Sequence, residues 1–248
     1  IMLLAIDIGN TFIALGLFHK KRLIRKYTIL TPEKNYSLKL RNILLRHKVN
    51  NALICSVVPK ATKKMATILK RANLKKILIL GKNLTVPIKN LYRNPKQVGQ
   101  DRLVNAYAAI ILYGAPVIVI DSGTAITFDI ISAKKEYLGG MILPGLDISL
   151  DVLAQRTALL PRVKPAYPKE FIGRDTQSSI LSGTVYGFAN LIDGMVKQIK
   201  NRIHGNPIVL GTGGNIKLLG KYCRQINKID TELTLKGIYQ VFQNSCLK

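Results

Sequence analysis

Acidic residues are scarce in this chain of 248 residues, which holds 13 Asp and Glu against 38 Lys and Arg, a formal net charge of +25. Trp is absent, and no aromatic-rich RNA-binding motif, helix-turn-helix signature or zinc-finger spacing accompanies the positive charge. The excess indicates either a compositional bias toward Lys, Ile, Asn and Leu or a negatively charged partner. That partner could be ATP with an acidic metabolite, or nucleic acid. We do not expect nucleic acid as the primary partner, although the charge leaves this alternative open.

Cysteine is equally scarce. The three cysteines, Cys55, Cys223 and Cys246, show no CxxC spacing, which argues against a zinc site or a disulfide framework and favours a reducing cytoplasm. No apolar run reaches the roughly 18 residues that a membrane span needs. The apolar run Met2–Ile6 leads straight into a turn and reads as a strand rather than a signal peptide. We therefore expect a cytoplasmic protein with no membrane partner.

Apolar residues make up 48% of the chain, and short apolar runs alternate with segments of helical periodicity, which predicts an α/β fold. The predicted strands are 2–6, 12–18, 22–28, 52–56, 77–80, 117–120, 125–131, 136–143, 207–210 and 226–230. The predicted helices are 36–47, 60–72, 101–112, 146–157, 175–202 and one that begins at 233. Gly114-Ala115-Pro116 interrupts the pattern, so we place a domain boundary there and predict domains 1–115 and 116–248.

Two aspartate-glycine turns follow buried strands. They are Asp7-Ile8-Gly9-Asn10-Thr11 and Asp121-Ser122-Gly123-Thr124. Such a turn presents a carboxylate at the rim of a sheet, and glycine lets the backbone approach a ligand while N–H groups and the Thr hydroxyl hold phosphate oxygens. A third glycine run, Gly211-Thr212-Gly213-Gly214, lies between a strand and a helix, where it could also approach a nucleotide. Together the three predict two similar half-domains that face one nucleotide.

The order of these turns resembles the actin-like ATPase superfamily, which includes sugar kinases and Hsp70. Within it, the first two turns together with Gly99-Gln100-Asp101-Arg102 and the run Gly139–Gly145 closely resemble type III pantothenate kinase. The resemblance covers the whole chain. It implies two tandem actin-like (ribonuclease H-like) domains with a nucleotide cleft between them, in a homodimer that phosphorylates pantothenate with ATP to give 4'-phosphopantothenate, the first step of coenzyme A synthesis.

The same resemblance implies roles for individual residues. Asp101 matches the proton acceptor, Asp7 the residue that holds hydrated Mg²⁺, and Asp121 the ligand of a monovalent cation, K⁺ or NH₄⁺. The residues matched to ATP binding are Asp7, Ile8, Gly9, Asn10, Thr11, Gly123, Thr124, Gly211, Gly213 and Gly214. The residues matched to substrate binding are Tyr92, Gly99, Gln100, Asp101, Arg102 and Thr176, with Thr176 acting across the dimer interface. We treat Asp129 as structural.

Two alternatives remain at this point. The first is a kinase for another small hydroxyl substrate on the same fold, against which the run from Gly99 to Arg102 argues. The second is a non-enzymatic transcriptional accessory or nucleic-acid-binding protein, which the +25 charge supports. The three aspartates Asp7, Asp101 and Asp121 argue against this second alternative, because a protein without catalysis has no need of them.

Overall fold

The computed structural model of the chain describes residues 2–31 and 36–246, which form an α/β fold with two mixed sheets. The strands are β1 (Met2–Ile8), β2 (Phe12–His19), β3 (Arg22–Leu30), β4 (Asn51–Ser56), β5 (Lys76–Ile79), β6 (Lys89–Asn90), β7 (Val117–Ser122), β8 (Ala125–Ile131), β9 (Glu136–Pro144), β10 (Ile208–Thr212) and β11 (Lys228–Ile229). The helices are α1 (Tyr36–Arg46), α2 (Pro59–Arg71), α3 (Gln100–Tyr113), α4 (Leu146–Arg156), α5 (Thr176–Lys200), α6 (Ile216–Gly220) and α7 (Leu233–Cys246).

The first sheet has the strand order β3-β2-β1-β4-β5. β1, β2 and β3 form an antiparallel meander, whereas β4 and β5 run parallel to β1. Apolar side chains from β1, β2 and β4 pack with those of α1 and α2 in one core cluster, which includes Ile6, Leu15, Ile54 and Met65. Because α1 and α2 each contribute one apolar stripe, their remaining faces are left to polar and basic side chains.

The second sheet has the order β11-β10-β7-β8-β9-β6. It repeats the plan of the first sheet: β7, β8 and β9 form an antiparallel meander, and β10 runs parallel to β7. Its core cluster combines one face of β7 and β8, including Ile120 and Phe128, with α4, α5 and α6. This repeat of meander plus parallel strand confirms the predicted pair of similar α/β domains.

The chain divides into two compact units that a single cut does not separate. One unit comprises residues 1–88, 93–108 and 232–248, and the other comprises 89–92 and 109–231. This division differs from the predicted boundary between residues 115 and 116. The reason is α7, which packs on β1, β2 and β4, with Gly237 lying against Val104 of α3. The end of the chain therefore completes the first unit.

All ten predicted strands and all six bounded helix predictions are present, with ends that shift by one to three residues. The short strand β6 lies in a segment predicted as a loop, where it pairs with β9. Within the described part of the chain, no helix is both long enough and apolar enough to cross a membrane.

Candidate active site

The first aspartate-glycine turn lies between β1 and β2 and is tightly held. The Gly9 N–H donates to the Phe12 carbonyl at 2.9 Å, and the Thr31 hydroxyl donates to the Gly9 carbonyl at 2.7 Å. Asn10 and Thr11 are exposed at its tip. The structure therefore presents the predicted phosphate-binding residues on a braced turn at the rim of the sheet.

Asp7 stands beside Cys55, its register partner on the parallel strand β4. Burial raises the pKa of the Cys55 thiol well above its usual value, and the negative charges of Asp7 and Asp101 raise that pKa further. Since both carboxylates act on the same buried thiol, the first turn and the start of α3 converge within the first unit. The structure thus brings together the predicted Mg²⁺ residue and the predicted proton acceptor.

The start of α3 carries the predicted substrate residues. The Arg102 N–H donates to Asp101 Oδ1 at 2.9 Å. A β-carbon built on Gly99 would collide with that same oxygen and would lie 3.9 Å from a methyl group of Val57. The Val57 N–H in turn donates to the Ile8 carbonyl at 3.1 Å. Gly99 is therefore required if the Asp101 carboxylate is to keep its place beside the helix.

The second turn lies in the second unit, between β7 and β8. Asp121 pairs in register with Thr212 of β10, so the turn and the glycine run that follows Thr212 leave the sheet side by side. Gly213 has φ +94°, and a β-carbon there would lie 2.6 Å from the Ser122 carbonyl group and would collide with the Asp121 carboxylate. Gly145 packs equally closely on the Gly123 and Thr124 carbonyls. The two predicted ATP-binding segments of this unit are therefore in direct contact.

A cavity of about 380 Å³ lies next to this cluster within the second unit. It is lined by Asp147, Asp151, Arg162, Val163, Lys164, Pro165 and Asn215. The Asn215 side-chain amide donates to Asp147 Oδ2 at 2.6 Å, and its backbone N–H donates to the Ser122 carbonyl at 3.0 Å. Asp151 pairs with Arg162 at 2.8 Å. Asn215 thus joins the cavity to the second turn.

Sequence reasoning did not single out Asp147 and Asn215. Their only sequence signal is position, since Asn215 follows the third glycine run and Asp147 follows Pro144-Gly145 in the first turn of α4. By contrast, Asp129 fits its structural role. It is fully buried and accepts hydrogen bonds from the Tyr137 hydroxyl at 2.8 Å and the Thr127 hydroxyl at 3.3 Å.

The remaining predicted residues lie elsewhere on the two units. Tyr92 is held by a hydrogen bond from its N–H to Asn90 at 3.0 Å, and its ring lies against Gly139 of β9. Thr176 is the first residue of α5, exposed beside the N-cap Asp175. Gln100 packs its side chain against Gly81 in the first unit. These three residues are placed by their own local contacts rather than by the turns described above.

Comparisons with known proteins decide the family. The family model described as type III pantothenate kinase matches residues 3–198. The chain belongs to this family. Its relative from Halalkalibacterium halodurans, named type III pantothenate kinase, is 38% identical over 253 residues and spans 98% of this chain and 100% of the relative.

Solved structures agree on the fold of this type III pantothenate kinase family member. A Campylobacter jejuni protein, titled as a Baf family transcriptional activator, superimposes with a TM-score of 0.64 at 20% identity, over 99% of this chain and 100% of that one. A ROK family glucokinase from Streptomyces griseus, solved with glucose and AMPPNP, has a TM-score of 0.55 at 11% identity over 97% and 98%. The predicted actin-like kinase fold and the predicted phosphotransferase class are confirmed.

Proposed function

We propose that this kinase transfers the γ-phosphoryl group of ATP to the primary hydroxyl of pantothenate, with Asp101 as proton acceptor. The observation that carries the proposal is the placement of Asp101. Its carboxylate lies at the start of α3, fixed by the Arg102 N–H and accommodated by Gly99. A base must be held within hydrogen-bond reach of the hydroxyl it deprotonates, and phosphoryl transfer depends mainly on such positioning.

Substrate recognition is the second part of the proposal. Pantothenate is a carboxylate, and the guanidinium of Arg102 can bind a carboxylate through two parallel hydrogen bonds. Gly99 and Gln100 flank the hydroxyl, while Tyr92 and Thr176 contribute further contacts. The fixed backbone of Tyr92 supports this role, because a ring held by Asn90 and Gly139 loses little freedom on binding.

ATP binding is assigned to the two aspartate-glycine turns and the third glycine run. Asn10, Thr11 and Thr124 donate to phosphate oxygens, and the adjoining cavity, lined by Asp147 and Asn215, takes the nucleoside. Its volume of about 380 Å³ lies within the usual range of small-ligand sites. Because it touches the second turn through Asn215, phosphate and nucleoside can be held by one connected set of residues.

Two cations complete the assignment. Within the described residues, no group of three His, Cys, Asp or Glu side chains could hold a metal ion by itself. A lone carboxylate such as Asp7 nevertheless suits Mg²⁺, which keeps most of its waters and binds nucleotide phosphates at the same time. When bound, Mg²⁺ neutralises charge that develops on the phosphates. We assign the monovalent cation, K⁺ or NH₄⁺, to Asp121.

A homodimer fits the surface of the second unit. Leu159, Phe171 and Ile172 are 91%, 68% and 76% exposed, in the segment that leads to Thr176. Exposed apolar side chains clustered along one segment are typical of interfaces. This agrees with a role for Thr176 at a partner's site. The scarcity of cysteine supports a cytoplasmic location for the enzyme.

The test is ATP-dependent formation of phosphopantothenate, measured with and without K⁺ or NH₄⁺ and against a panel of other small hydroxyl compounds. We expect turnover with pantothenate that requires Mg²⁺ and rises with the monovalent cation. Turnover with another compound and none with pantothenate would contradict the substrate. Turnover that ignores K⁺ and NH₄⁺ would contradict the role of Asp121.

A further inference from the structure

The positive charge of the chain is concentrated in one unit. The first unit holds 23 Lys and Arg against four Asp and Glu, whereas the second holds 15 against nine. Between Asp7 and Asp101, Glu33 is the only acidic residue, against 21 basic ones. The helices α1 and α2 contain no acidic residue at all. A uniform compositional bias does not account for this difference between the two units.

Part of this charge surrounds a groove of about 440 Å³ within the first unit. The groove runs between one side of α2 and the end of the edge strand β5. Its lining residues are Ser56, Pro59, Thr62, Lys63, Ala66, Thr67, Lys70, Ile79 and Lys82. The α2 members recur at helical spacing, so they form a continuous stripe along that helix. The groove therefore has a mixed apolar and hydroxyl floor and three lysines.

The three lysines are exposed and are not neutralised by the rest of the unit. Among residues 2–31 and 36–246, no carboxylate forms an ion pair with Lys63, Lys70 or Lys82. The floor beneath them is fixed. The Thr62 hydroxyl donates to Ser56 Oγ at 2.7 Å, and Ser56 Oγ accepts the Val58 N–H at 3.0 Å. A fixed floor with unneutralised cations at its edge is suited to an anionic ligand.

We propose that this groove binds a small anion that carries two or more phosphate groups. Lys63 and Lys70 lie two helical turns apart, about 10 Å along the axis, so a single phosphate cannot contact both. Lys82 approaches from the β5 side. Ammonium groups bind phosphate as point charges, and Pro59, Ala66 and Ile79 can pack against an apolar part of the ligand. A carboxylate near any of the three would weaken this preference, and none lines the groove.

A small ligand fits these observations better than a nucleic acid strand does. Surfaces that bind single strands combine positive charge with aromatic rings on which the bases stack. The groove is lined by no aromatic side chain. Its volume is also that of a small-ligand site rather than of an extended track. We therefore assign the groove to a low-molecular-weight polyphosphorylated compound, independently of the kinase reaction proposed above.

The experiment is a titration of the full-length protein with inorganic tripolyphosphate by calorimetry at about 0.1 M salt. One variant combines Lys63→Gln, Lys70→Gln and Lys82→Gln. The matched control combines Lys48→Gln, Lys75→Gln and Lys76→Gln, three exposed lysines of the same unit that do not line the groove. We expect the groove variant to bind at least tenfold more weakly than wild type and the control to stay within about twofold.

Equal weakening in both variants would show a response to net charge alone and would overturn the proposal. Unchanged binding in the groove variant would place tripolyphosphate elsewhere, for example at the ATP turns, with the same consequence. A 20-nucleotide DNA strand serves as a second probe. If the groove variant loses DNA binding but keeps tripolyphosphate binding, the surface belongs to nucleic acid and the proposal is wrong. Melting curves of both variants check that the fold is intact.

Discussion

Gly213 lies directly against the Asp121 side chain, with its backbone in the left-handed region at φ +94°. The contact joins the glycine run after β10 to the turn after β7, two segments far apart in sequence whose strands are parallel neighbours. Any side chain at position 213 would meet both the Asp121 carboxylate and the Ser122 carbonyl group. This relationship explains why the run needs glycine at this position, and it separates Gly213 from its neighbour Gly214.

Gly213→Ala is therefore expected to destabilise the protein by about 2–4 kcal/mol, because the backbone strain and the steric overlap add. Gly214→Ala is the matched control, since a β-carbon there meets nothing within 4 Å. Its free energy of unfolding should stay within about 0.5 kcal/mol of wild type. Urea unfolding of both variants measures the difference, and equal stabilities would contradict the packing described for Gly213.

Gly99→Ala tests the seat of Asp101. The added methyl group occupies the place of Asp101 Oδ1, and that carboxylate can rotate away at small cost in stability. We expect kcat to fall by at least tenfold while the melting temperature changes little, because misplacing a catalytic group costs rate rather than folding. Gly194→Ala, on an open face of α5, provides the control and should retain wild-type kcat. A fully active Gly99→Ala enzyme would remove the case for a fixed Asp101.

Asp147→Ala tests the nucleoside cavity. The substitution removes the acceptor that holds the Asn215 amide at 2.6 Å. Loss of one such hydrogen bond costs about 1 kcal/mol, so the KM for ATP should rise about fivefold while the KM for pantothenate stays the same. Glu170→Gln, outside the cavity, should change neither constant. An increase confined to the KM for pantothenate would show that the cavity serves the other substrate.

The pH dependence of stability should carry the signature of Cys223. Burial, with a smaller effect of the Asp193 charge, raises the pKa of this thiol from 9.0 to about 12. Between pH 9 and 12 the folded state keeps a proton that the unfolded state has lost, so the free energy of unfolding falls as pH rises. Cys223→Ala should flatten this fall in urea titrations from pH 8 to 10.5. An unchanged slope in the variant would show that the thiol does not contribute.

The local fold followed from the sequence because buried strands and amphipathic helices declare themselves by periodicity. The strand ends were less predictable. β1 continues through Asp7 to Ile8 because ladder pairing with β2 and β4 persists beyond the apolar run. The aspartate-glycine turns were also visible, since only glycine with a polar neighbour suits such a turn.

Long-range contacts between unremarkable residues could not be predicted in this way. The Asn215–Asp147 hydrogen bond joins residues 68 positions apart, and neither residue belongs to a recognisable motif. The same is true of the lysine groove. Lys82 follows a short edge strand, and nothing in its local sequence places it opposite Lys63 and Lys70. Such sites arise from the order of strands in the sheet, which the local pattern does not fix.

The most direct test of the central assignment is the kcat of Asp101→Asn, measured with saturating ATP, Mg²⁺, K⁺ and pantothenate. The amide has the same shape but cannot accept the hydroxyl proton, so we expect a loss of 10²-fold or more, with ADP binding and melting temperature unchanged. Glu232→Gln, a carboxylate of the same unit paired with Lys236 at 3.7 Å, should retain full activity. An Asp101→Asn enzyme that turns over at the wild-type rate would contradict the account.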